Sequence, residues 1–121
     1  MTTKEEKLKE LLGEIKEITN VKGAAIVRRD GLLIVSNLPS DIEADQLAAM
    51  TASTVGSGET ASKTLSIGEV KQVTVESDHG KLISTGAGNE GILTVLTADD
   101  VNMGLVLVEM KEAAKKIKRV L

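Results

Sequence analysis

Residues Ser66 to Ala98, SIGEVKQVTVESDHGKLISTGAGNEGILTVLTA, read as three consecutive strands joined by connections of a few residues. Connections that short force neighbouring strands to run antiparallel, since a parallel crossover needs a dozen residues or more. A long helix rich in small residues precedes the run and an amphipathic helix follows it. The order predicts an α+β fold with helices laid on an antiparallel sheet.

The three strands differ in how many of their faces are apolar. Ile92-Leu93-Thr94-Val95-Leu96, like Ala24-Ala25-Ile26-Val27 earlier in the chain, is apolar on both faces and belongs in the middle of the sheet. Glu69 to Ser77 alternates instead, with Val73 and Val75 set against Gln72, Thr74 and Glu76. One side of that segment is wet, which predicts an edge strand.

Outward from this run, Thr3 and Glu6 have the spacing of a capping box, and Leu8, Leu11, Leu12, Ile15 and Ile18 recur at helical intervals, predicting a helix over Lys4 to Ile18. A strand over Ala24 to Arg29 then leads through Asp30-Gly31, a type I′ hairpin signal, into Leu32 to Ser36. Ser40 and Glu43 form a second capping box, predicting a middle helix from Asp41 to Thr64. That helix carries two stripes. Leu47, Met50, Thr54, Gly58, Ala61 and Leu65 form a face suited to the sheet, with Ala48, Ala49, Ala52, Val55 and Gly56 nearly opposite. A helix that is small or apolar on both sides needs cover on both, so a partner is expected on the second. Asp99 to Asn102 is a polar joint, and Val106, Met110, Ala113, Ile117 and Val120 mark one stripe on a final helix over Met103 to Leu121. The lysines and Arg119 of its last turns suit the negative end of the helix dipole.

Composition narrows the functions available. The 121 residues suffice for one domain with a core of its own, and a net charge of -3 gives no sign of nucleic-acid binding. The chain has no cysteine and one histidine, which removes disulfides, thiolate chemistry and histidine-rich metal sites. With no Phe, Tyr or Trp, no base can stack on a ring, and a bound organic cofactor or small-molecule substrate is not expected. The charged start, Met1 to Glu10, has no apolar core of a secretory signal and no run is long enough to span a bilayer, so a cytoplasmic location without membrane insertion is expected.

Four motifs suggest chemistry and fail on context. Gly86-Ala87-Gly88-Asn89-Glu90-Gly91 matches GxGxxG, yet a strand follows where a dinucleotide fold needs a helix N-terminus. The glycines therefore predict a tight connection between strands. Ser57 to Thr64 ends in Lys-Thr like a P-loop but is helical in period and lacks the required glycines. His79 sits in a turn with no nucleophile at a readable spacing, and the adjacent Asp99 and Asp100 read as a helix start. No catalytic residue is predicted.

The order helix, hairpin, helix, three-strand meander, helix, with Gly23-Ala24-Ala25-Ile26-Val27 before Asp30-Gly31, resembles the roadblock family, named after a dynein light chain. Gly80 to Gly86, Leu93 to Leu96 and Asn102-Met103-Gly104-Leu105 carry the likeness to the end of the chain. The resemblance implies a profilin-like sheet ordered second, first, fifth, fourth, third, with the middle helix on one face and both terminal helices on the other. It also implies a homodimer in which third strands pair across a two-fold axis and middle helices pack together. On that basis the interface is expected to include Ala48, Ala49, Ala52, Val55, Gly56 and Glu59 of the helix and Gln72, Thr74 and Glu76 of the strand. Members of the family bind or regulate Ras-like small GTPases, or serve as dimeric adaptors in motor and signalling complexes, without a cofactor. The resemblance offers no catalytic residue to transfer, and Arg28 and Arg29 are read as solvated charges at a strand end rather than arginine fingers.

Overall fold

The computed structural model describes residues 1–121. Eight elements follow one another as α1 (Lys4–Lys16), β1 (Val21–Arg28), β2 (Leu33–Asn37), α2 (Ala44–Thr64), β3 (Val73–Ser77), β4 (Gly80–Ala87), β5 (Gly91–Thr97) and α3 (Met103–Val120). The strands form one five-stranded sheet in the order β2-β1-β5-β4-β3, antiparallel at every pairing. Both the αββαβββα order and the strand order agree with expectation, and the doubly apolar strands β1 and β5 lie inside the sheet, as does β4.

Why the layers form follows from which way each strand residue points. Residues paired across antiparallel strands share a face, so Ala24, Val95 and Ile83 stand on one side and Ala25, Thr94 and Ser84 on the other. The first side carries the main core, where Leu8, Leu12 and Ile15 of α1 and Val106, Met110 and Ile117 of α3 cover Ile26, Leu93 and Val95. The second side carries a smaller one, in which Leu47 and Ala48 of α2 meet Ala25 and Val27. One helix on one face and two on the other is the expected arrangement.

Local chemistry sets the helix starts. Thr3 caps α1 as its spacing predicts, its hydroxyl oxygen accepting from the Glu6 N–H at 3.1 Å. Asn102, rather than Asp99 or Asp100, caps α3 by accepting from the Leu105 N–H at 3.1 Å. The start of α2 differs from the sequence expectation. Ser40 and Asp41 belong to a turn closed by the Ile42 N–H on the Pro39 carbonyl at 3.0 Å, and Glu43 is the cap.

The first hairpin also departs from the type I′ turn. Gly31 has φ +95° while Asp30 has no positive φ, and the Gly31 N–H donates to the Arg28 carbonyl at 2.9 Å. This is a type I turn followed by a left-handed glycine, the common alternative when one residue more separates the strands. Strand limits move as well: β1 begins at Val21 rather than Ala24, and the expected strand over Glu69 to Ser77 is regular only from Val73. Ser66 and Gly68, at φ +56° and +102°, take the chain from α2 to β3 along an irregular path.

Candidate functional site

The second helix and the third strand each leave one side without cover from the rest of the chain. β3 is the sheet edge, five residues long, bonded on one side only. α2 is 21 residues long and lies against β1, β2, β3 and β4 through Leu47, Ala48, Thr51 and Val55, all buried. Gly58 continues this inner stripe, since a methyl placed there would stand 3.1 Å from Val73 Cγ2. At Gly58 the helix therefore lies close enough to β3 that little room is left for a side chain.

That inner stripe corrects the sequence reading of α2. Ala48 and Val55, expected on the partner side, are 0% and 2% exposed against the sheet of the same chain. Met50 and Leu65, expected against the sheet, are instead 55% and 66% exposed, and Ala61 is also exposed. The helix is rotated by about 75° from the predicted setting, given 100° per residue. Ala25 on β1 accepts an alanine at close range, so Ala48 goes inward while the bulkier Met50 is left outside.

Of the residues expected at an interface, Ala49 is exposed and Ala52 and Gly56 are half-buried on the outer flank of α2. Ala52 and Gly56 line a shallow groove with Ser53, Ser57 and Thr60. The tip of the first hairpin presses on the start of this face, with a Cβ at Gly31 falling 3.9 Å from Ala52 Cβ. Glu59 is held within the chain, both carboxylate oxygens accepting from Arg29 Nη1 at 2.7 and 2.8 Å. Arg29 Nη2 also donates to the Gly88 carbonyl at 3.1 Å. The guanidinium thus ties the first hairpin, the β4–β5 turn and α2 together, and it is not the solvated charge expected of it.

The β3 residues divide between the two sides of the sheet. Thr74 and Glu76 pair with Ile83 and Lys81, and Ile83 belongs to the core under α1 and α3. Those side chains therefore face away from α2. Val73 and Val75, paired with Ser84 and Leu82, stand on the α2 side, and Val75 is 43% exposed. Gln72, also exposed, lies just before the regular strand. Sequence reasoning missed Met50, Leu65, Ile67 and Val75, all exposed and apolar; the alternation of β3 could have identified Val75 once its side of the sheet was known.

The remaining motifs fall where context placed them. Gly86 is the penultimate residue of β4, Gly88 with φ +79° makes the turn, and Gly91 opens β5. Ser57 to Thr64 forms the last two turns of α2, and His79 is exposed in the β3–β4 turn.

Comparison with known proteins places this geometry in a family. The Roadblock/LC7 domain model matches residues 7–97. A protein of Methanocaldococcus jannaschii is 40% identical over 108 residues, 89% of this chain and 94% of its own. Among solved structures, Myxococcus xanthus MglB superposes with a TM-score of 0.87 at 23% identity, covering 94% of each chain. Profilin II of Acanthamoeba castellanii shares the layout at a TM-score of 0.58 and 15% identity, over 93% of this chain and 94% of its own.

Proposed function

Since the chain belongs to the Roadblock/LC7 family, we propose that it acts as a homodimer that engages and modulates a Ras-like small GTPase in the cytoplasm, with no catalysis of its own. The observation that carries the reading is the pairing of an uncovered strand edge with an uncovered helix flank on one side of the sheet. Met50, Leu65, Ile67 and Val75 expose apolar side chains around them. A second copy placed across a two-fold axis satisfies both at once, because its own β3 extends the sheet to ten strands and its own α2 covers the groove.

The corrected interface on this reading consists of the β3 backbone, Val75, and the outer residues Ala49, Ala52, Ser53, Gly56, Ser57 and Thr60. Gln72, Thr74 and Glu76 flank the strand pairing on the opposite side of the sheet. Small and hydroxyl-bearing side chains let two helices approach closely, which is the packing this flank permits.

The GTPase step is tested with purified Ras-like GTPases from the same genome, by measuring hydrolysis and nucleotide exchange with and without this protein. A change in either rate for one of them, at concentrations where the two associate, supports modulation. Association without any change in rate assigns the protein to the adaptors of its family instead.

A further inference from the structure

On the side of the sheet away from α2, a half-open cleft of about 540 Å³ lies between α3 and the strands at the β3 edge. Lys71, Lys111, Lys115 and Lys118 line it, over a floor that includes Leu107 and the buried Met110. Lys111, Lys115 and Lys118 are spaced by four and three, so they share one face of α3 along about 10 Å of helix. Lys71, Lys111 and Lys118 form no ion pair, and Lys115 meets only Glu112, at 3.5 Å on the exposed surface. Four cations are thus gathered with almost no internal neutralisation, in a chain whose net charge is -3.

The glycine-rich turn has a part in this arrangement. A Cβ on Gly88 would stand 3.0 Å from Lys118 Cγ, so the bare backbone at Gly88 lets the Lys118 stem lie across the turn, and both Gly86 and Gly88 line the cleft. We infer that the cleft binds a small anion carrying two or more phosphates. Lysine ammonium groups suit phosphate as point charges, and the volume lies in the range of small-ligand sites. Recognition through charge requires none of the aromatic rings whose absence argued against an organic ligand. The apolar floor accommodates a carbon-bearing portion of the ligand.

Inorganic tripolyphosphate is the probe, titrated calorimetrically into the full chain at an ionic strength of about 0.15 M, where charges more than about 8 Å apart are largely screened. Saturable binding of one ion per chain is expected, weakened about tenfold or more by Lys111→Gln with Lys118→Gln. Lys7→Gln with Lys22→Gln, which removes the same charge from exposed positions elsewhere, should leave it unchanged. Circular dichroism melts of both variants confirm the fold. Vesicles containing a polyphosphoinositide identify the source of the phosphates: binding to them with the same lysine dependence indicates a lipid headgroup, whereas binding of free tripolyphosphate alone indicates a soluble ligand. No saturable binding, equal weakening by both pairs, or binding of polyglutamate but not tripolyphosphate overturns the inference.

Discussion

Removing the Arg29 side chain should reverse the sign of a second substitution 57 positions along the chain, at Gly86. Arg29 and Glu59 are 30% and 44% exposed at the side chain, so solvent screens their pair substantially. Allowing for that, the two contacts to Glu59 and the one to the Gly88 carbonyl contribute about 1–1.5 kcal/mol, and Arg29→Ala should lower Tm by about 3–6 °C. A methyl at Gly86 would stand 2.7 Å from Arg29 Nη2. Gly86→Ala must therefore shift the end of this flexible side chain, which breaks the Nη2 contact to the Gly88 carbonyl and disturbs the Nη1 contacts to Glu59.

Gly86 lies within β4 and has no positive φ. Restricting the unfolded chain with alanine should by itself stabilise by about 0.5 kcal/mol. In the natural background the two effects oppose, leaving Gly86→Ala destabilising by up to about 1 kcal/mol; with Arg29 already replaced by alanine, only the gain remains. Chemical denaturation followed by far-ultraviolet circular dichroism, at one fixed protomer concentration, measures the four corners of the cycle. A coupling of up to about 1–1.5 kcal/mol is expected. If Gly86→Ala has the same effect in both backgrounds within about 0.3 kcal/mol, Arg29 does not fasten the three elements as described.

Further substitutions test other parts of the packing. Ala48→Glu buries a charge at a position 0% exposed and should cost about 3–5 kcal/mol, seen as loss of the cooperative melt rather than a change in assembly. Gly23→Ala places a methyl 2.7 Å from the Asn37 carbonyl oxygen, a backbone atom that cannot swing aside, and should lower stability by about 1–3 kcal/mol in the same denaturation assay. The Thr51 hydroxyl is buried without a hydrogen-bond partner, so the isosteric Thr51→Val should raise stability by about 1 kcal/mol.

Much of the fold was legible because local chemistry and hydrophobic period agreed. Thr3 and Glu6 announce α1, the apolar runs in β1 and β5 mark the centre of the sheet, and the alternation around Val73 and Val75 marks its edge. The GxGxxG stretch was resolved by its neighbours: a strand on each side makes it a turn. The setting of α2 was less accessible, since ranking its stripes by side-chain size favours Met50, whereas the surface it meets, at Ala25 and Val73, accepts Ala48 and Gly58. Arg29 was misread for a different reason. Its partners lie 30 and 59 residues away, at Glu59 and Gly88, and only the folded chain brings them together.

If the outer flank of α2 and the β3 edge together make the dimer, a charge placed at Gly56 should separate the two protomers. A Cβ at Gly56 has no heavy atom within 4 Å, so Gly56→Glu fits the isolated chain, and replacing a glycine inside a helix favours its fold. The same glutamate would meet its symmetry mate near a helix–helix contact. Light scattering with refractive-index detection suits a chain lacking Trp and Tyr. At micromolar concentration the natural chain should have twice its 12.7 kDa mass and Gly56→Glu should fall to one protomer with its fold intact. A natural chain of single mass would mean that no dimer forms, and a Gly56→Glu variant that remains paired would mean that this flank of α2 does not form it.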